Sequence, residues 1–227
     1  MSEVNNKRFK DTPNRWQYWN YSAPAKYFIT VCTHNMEMLF GNIVNKTMVL
    51  SDAGKCVSDE IEKLPAYHPR VILDENIVMP NHIHMIIKLG DYFFDNKIVG
   101  QIHEFDRQKK SEIQNPVGQI HEFALRDFDE QEYNKIKNAI NDSNGIVNID
   151  MIKQYRKLRR RMLIPMIIGK LKMQTSKQIN ILNKTPQNKN WQTDYYDHII
   201  RDEQSYWTIK NYIKNNPARW NEDKFHG

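Results

Sequence analysis

Two histidines one residue apart, His82 and His84, lie in the apolar run MPNHIHMIIKL, Met79 to Leu89. In a strand, residues i and i+2 share a face, so both imidazoles point one way and Ile83 the other. Two imidazoles on one face make half of a metal site. Far along the chain, Tyr212 and Asn216 stand four residues apart, one turn from each other on one face of a helix. A phenol nucleophile and an amide oxygen at that spacing can both face a metal held by a sheet. Each feature has a plainer reading. The histidines also fit an open, solvated sheet face. Tyr206, Ile209, Tyr212 and Ile213 form the kind of helical stripe that packs a core. Asn216 also suits a helix end before Pro217. Spacing alone does not choose between these readings.

Several elements have to position these residues. KYFITVCT, Lys26 to Thr33, is aromatic and β-branched and predicts a strand. FGNIVNKTMVL reads as a turn with one short extended piece. Ser51 can cap a helix over SDAGKCVSDEIEKL, with Asp52 at its positive end and Pro65 stopping it. RVILDENIVM and HIHMIIKL predict a second and a third strand around Pro80 and Asn81. LIPMIIGKLKMQTSKQINIL is an amphipathic helix, Tyr196 to Ile200 a fourth strand, and DEQSYWTIKNYIKNN a last helix ended by Pro217. The first six elements, strand–helix–strand–strand–helix–strand, imply an α+β fold. They suit a ferredoxin-like antiparallel sheet with helices on one face, to which a C-terminal helix carrying Tyr212 is added.

The 227 residues suit a single domain, 1–227, with room for an insertion at 90–160. That middle stretch is polar and Asn-rich, and repeats VGQIHEF at Val99–Phe105 and Val117–Phe123. Two copies are too few for a solenoid. The reading is a segment partly helical, as in QYRKLRRRM, and partly disordered. Lysine plus arginine number 33 against 27 acids, a net charge of +6, which is compatible with a polyanionic partner. No run approaches the ~18 apolar residues of a membrane span, and the polar N-terminus lacks a secretory core. Two cysteines, Cys32 and Cys56, allow at most one disulfide and form no CxxC pattern. The expected setting is the cytoplasm, with no membrane partner.

MPNHIHMII resembles the His-hydrophobic-His signature of the HUH single-strand nucleases. NWQTDYYDHIIRDEQSYWTIKNYIKNNPARW resembles the C-terminal signature of the REP-associated tyrosine transposases, relatives of the single-tyrosine insertion-sequence transposases. WNYSAPAKYFITVCTHNMEMLFG is similar to their usual start. The likeness spans about Arg15 to Leu89 and Leu163 to Trp220 and leaves out the middle.

The resemblance implies that His82 and His84 are metal ligands, Tyr212 the nucleophile and Asn216 the third ligand, with His198 as rival. It implies Mg²⁺ or Mn²⁺ as cofactor; two imidazoles and an amide make Mn²⁺ chemically comfortable. It further implies site-specific cleavage and rejoining of single-stranded DNA at palindromic repeat hairpins, through a 5′-phosphotyrosine intermediate, by a monomer or homodimer. An alternative on the same fold is a catalytically silent hairpin DNA- or RNA-binding module. A small metal-binding protein using only the HxH pair is a third.

Arg15, Trp16, Trp19, Lys26 and Arg201 are the expected DNA contacts, aromatics stacking on bases and cations on phosphates. Packing of the aromatic arm over the sheet is the competing reading. The family is associated with palindromes preceded by GTAG. VGQIHEFA, Val117 to Ala124, permits the codons GTA GGG CAA ATT CAT GAA TTT GCC. With the C that can begin Leu125, the string from GGG onward reads as an uninterrupted inverted repeat directly behind GTA, so GTAG is present too.

Overall fold

Alternation in β1 (Ala25–Cys32) divides the molecule in two. Tyr27, Ile29 and Val31 are fully buried on one face of the sheet, while Phe28, Thr30 and Cys32 lie on the other. The structure, a computed structural model, describes residues 19–90, 129–142 and 149–226. β1 pairs with β5 (His82–Leu89) and β6 (Tyr196–Ile200), and β5 pairs with β4 (Val71–Val78). The sheet runs β4-β5-β1-β6 and every neighbouring pair is antiparallel. In chain order that is second, third, first, fourth: the ferredoxin-like arrangement expected from the sequence.

Two local details differ from the sequence reading. FGNIVNKTMVL is a complete hairpin, β2 (Gly41–Val44) against β3 (Thr47–Leu50). Its two-residue turn puts Asn45 and Lys46 at φ 50° and 63°, the left-handed pair that matches strand twist. Gly41 has φ 136°, and a Cβ there would meet the Val49 carbonyl at 2.1 Å. Pro65 does not end the chain's helical run. α1 (Asp52–Glu62) is capped by Ser51, whose Oγ accepts from the Gly54 amide at 3.1 Å. Pro65 then sits in the first turn of the short α2 (Leu64–Tyr67), where a missing N–H costs nothing.

The middle segment, where described, is helical: α3 (Glu130–Asp142) and α4 (Ile149–Arg160). Tyr133 and Tyr155 stack at 5.4 Å between ring centroids, and both belong to the main core. Leu158 is buried beside them, so the basic run RKLRRRM is solvated on one side only. Both VGQIHEF copies lie outside the described residues.

α5 (Leu163–Leu182) and α1 cover the first face of the sheet. Ile164, Ile167, Ile168, Leu171 and Ile179 of α5 meet Val57 and Ile61 of α1 over Ile29, Ile83, Met85 and Ile87. Burying each such side chain contributes ~1.5–3 kcal/mol. The opposite face is covered by α6 (Glu203–Asn215), through a smaller cluster of Ile86, Ile200, Tyr206 and Ile213. α6 is also tied to the edge strand. β4 bulges between Leu73 and Glu75, which leaves Asp74 as the extra residue. The Tyr206 hydroxyl donates to Asp74 Oδ2 at 2.6 Å, and the Lys210 ammonium donates to Oδ1. Among the described residues, no helix is long and apolar enough to cross a membrane.

Candidate active site

The register of the sheet builds the site. Cys32 pairs with His82 and Thr30 with His84, which sets both histidines on the α6 side. Strand periodicity alone suggests an open face there, and the structure corrects this: both residues are fully buried. α6 lies over them, and the chain after it folds back through a 3₁₀ segment, Pro217–Glu222. Trp220 stacks on His82 at 6.0 Å and the Phe225 ring lies 4.8 Å from it. This cover was invisible to strand periodicity, because it comes from residues far along the chain.

Hydrogen bonds aim the imidazoles. Asn81 donates its amide to the Phe225 carbonyl at 2.8 Å, so its Oδ1 is left to accept from His82 Nδ1–H, also 2.8 Å away. His82 therefore presents the lone pair of Nε2. Thr30 Oγ1 holds His84 Nδ1 at 2.7 Å. The two Nε2 atoms converge to 3.0 Å. Burial holds the His82 pKa down to about 4, and burial reinforced by the neighbouring His82 holds His84 well below its ordinary range. Near neutral pH both are uncharged, the form that binds a metal.

Three side chains meet this pair. The Tyr212 hydroxyl lies 3.1 Å from His84 Nε2 and donates to Asp223 Oδ2 at 2.8 Å. Asn216 also donates its amide to Asp223 Oδ2. Among the described residues the buried Asn216 Oδ1 has no hydrogen-bond partner, an orphaned acceptor of the kind that costs stability unless something meets it. Burial first, then the Asp223 hydrogen bond, pushes the Tyr212 pKa above its ordinary value. His82, His84 and Asp223 could hold a metal ion, with their ligand atoms all within 4.8 Å of one another. Two neutral nitrogens, one carboxylate and one orphaned amide oxygen fit a divalent cation of borderline softness.

The structure thus brings His82, His84, Tyr212 and Asn216 together. It does not bring His198 to them: that residue is exposed on β6, opposite Phe28, outside the donor group. The expected DNA contacts are dispersed. Trp19 packs against the main core and donates its indole N–H to the Tyr27 hydroxyl at 3.0 Å. The Lys26 ammonium sits 4.0 Å from the Tyr206 ring centroid. Arg201 lines a separate hollow with Tyr21, Asp197 and His198. Arg15 and Trp16 lie outside the described residues. Sequence reasoning missed Asp223, Asn81 and Thr30. Asn81 had a signal, its position beside His82. Asp223 and Thr30 had none, since a chain reversal and a strand register bring them in.

No family model matches this chain. An uncharacterized protein of Haemophilus influenzae is 30% identical over 216 residues, 93% of this chain and 91% of the relative. The fold is also similar to a solved structure of a REP-associated tyrosine transposase bound to a REP hairpin. The TM-score is 0.43 and the identity 14%, with 91% of this chain and 75% of that one covered.

Proposed function

We propose that this chain, which belongs to one family with the uncharacterized Haemophilus influenzae protein, is a metal-dependent tyrosine nuclease and strand transferase acting on single-stranded DNA at palindromic hairpins. The observation that carries the reading is the placement of the Tyr212 hydroxyl between His84 Nε2 and Asp223 Oδ2, at 3.1 and 2.8 Å. The transposase-like signatures around the same residues support it.

His82 and His84 through Nε2, Asp223 through its carboxylate and Asn216 through Oδ1 would hold Mg²⁺ or Mn²⁺. When bound, such a cation offsets charge on the phosphate oxygens and lowers the barrier to displacement. The chain's own groups do the rest. α6 fixes the Tyr212 oxygen beside His84, and the covering aromatics Trp220 and Phe225 pack on the histidine pair and shield it from water. Asp223 Oδ2 already accepts the phenol hydrogen and is the atom to which that proton passes. The tyrosine oxygen forms a bond to phosphorus, the bond to the 3′-oxygen breaks, and the departing strand takes a proton to leave a free 3′-hydroxyl. The phosphodiester energy is kept in the 5′-phosphotyrosine, so a DNA hydroxyl can reverse the step and join strands.

Denaturing gels with labelled hairpin DNA and Mn²⁺ test this. The expected result is a cleaved strand and a covalent adduct, both lost in Tyr212→Phe. A wild-type protein that binds the hairpin and forms neither product is the silent binding module instead.

A further inference from the structure

A groove of about 590 Å³ opens along the outer side of Tyr212. Asn211, Tyr212 and Asn215 of α6, Asn216 at its end, and Arg219, Glu222 and Asp223 of the returning segment line it. It adjoins the buried donor group, since Tyr212, Asn216 and Asp223 line the one and belong to the other. Its size falls within the ~300–1,000 Å³ of ordinary small-ligand sites.

The lining chemistry is specific. The backbone departs from helical geometry at Arg219, at φ −110° and ψ 22°. That bend sends Trp220 down onto His82 and leaves Arg219 on the groove wall. No acid of the described residues lies within ion-pair distance of its guanidinium, although Glu222 and Asp223 share the wall. The Asn215 amide is engaged, donating to the Asn211 carbonyl at 2.8 Å, while the Asn211 side-chain amide has no partner among the described residues. A free guanidinium matches a phosphate. On the Hoogsteen edge, adenine alone of the four bases offers a donor beside an acceptor, N6 and N7, and a free side-chain amide matches that pair.

We propose that this groove is a nucleotide subsite of the cleaved strand, in which Arg219 takes the phosphate next to the scissile one and Asn211 reads an adenine. The inference rests on the nuclease reading and adds to it a base preference that the metal site cannot supply. Asn211 and Arg219 are both exposed, so their replacement leaves the core intact.

The test uses the full chain in EDTA, which stops cleavage, and fluorescence anisotropy. The probes are labelled DNA hairpins whose thymine-only single-stranded arm carries one adenine, walked along the arm. Wild type should bind one adenine position about 10-fold more tightly than the rest, and Asn211→Ala should flatten that maximum. Arg219→Gln should weaken every probe about 10-fold and lower the salt slope by about one. Hairpin binding with no adenine maximum, or with both variants indistinguishable from wild type, overturns the subsite while adduct formation still stands. A wild type that binds no probe and forms no adduct with Mn²⁺ overturns the nuclease reading as well.

Discussion

The hydroxyl of Tyr212 donates to Asp223 across 2.8 Å, joining a helix to the segment that folds back over it. The same carboxylate takes the Asn216 amide and, through Oδ1, the Phe225 amide at 2.7 Å. One aspartate thus organises the proposed nucleophile and both proposed roles of its helix. The two partners should separate on mutation. Tyr212→Phe should abolish the adduct yet bind Mn²⁺ nearly as wild type does. Asp223→Asn keeps the shape and removes the charge, so Mn²⁺ affinity should fall ~10–100-fold. Isothermal titration with Mn²⁺ measures both. Unchanged affinity in Asp223→Asn would remove that residue from the donor set.

The histidine pair should report metal through stability. A ligand at a hundred times its Kd adds ~2.7 kcal/mol to the folded state. Mn²⁺ should therefore raise the melting temperature of the wild type and leave His84→Ala unmoved. Because His82 and His84 are fully buried, each alanine variant should also lose ~1–3 kcal/mol without metal. Scanning calorimetry with and without Mn²⁺ checks the pair of effects. A His84→Ala protein that still gains stability from Mn²⁺ sinks the site.

Acid should weaken the apo protein in a defined window. Burial holds the folded His82 pKa at about 4 and that of His84 well below its ordinary value. An unfolded histidine titrates near ~6.5. Between those values the unfolded state binds more protons than the folded one, so stability rises with pH and is lost as pH falls below ~6.5. The slope is at most ~1.4 kcal/mol per pH unit from each ring. Urea titrations in EDTA across this range should show it, and His82→Gln should halve it. A flat profile from neutrality to the His82 value would mean the rings are not buried neutral.

How far the sequence foretold this site depends on what each residue needs. His82 and His84 share a face because of strand period alone, and Tyr212 and Asn216 because of helical period alone. Those relations are local and were legible. Asp223 reaches the site only because the backbone bends at Arg219 and reverses, and no spacing rule encodes that. Thr30 meets His84 through an inter-strand register. The cover of Trp220 and Phe225, which turns an open face into an interior, is equally non-local. The hairpin at Asn45 and Lys46 was missed for a different reason: neither residue is the glycine that usually marks such a turn.

The bulge in β4 gives the last prediction. Asp74 is the residue that the bulge throws out of the ladder, and it receives both Tyr206 and Lys210 of α6. Lys214, one turn on, reaches Glu75 at 3.5 Å. These contacts fix the rotation of α6 along one stripe, while Tyr212 and Asn216 sit on another. Asp74 and Lys210 side chains are only 20% and 16% exposed, so the contact is shielded from solvent more than an ordinary surface pair. Asp74→Ala leaves the Tyr206 hydroxyl without its acceptor and the Lys210 ammonium with only that hydroxyl at 3.1 Å and Glu75 at 3.9 Å, and should cost about 1–3 kcal/mol. More tellingly, it should slow adduct formation at saturating DNA while hairpin affinity stays within about twofold, because the helix carrying Tyr212 loses its angular stop. Single-turnover kinetics separates the two quantities. Equal losses in rate and affinity, or none in either, would show that this clamp does not set the nucleophile's position.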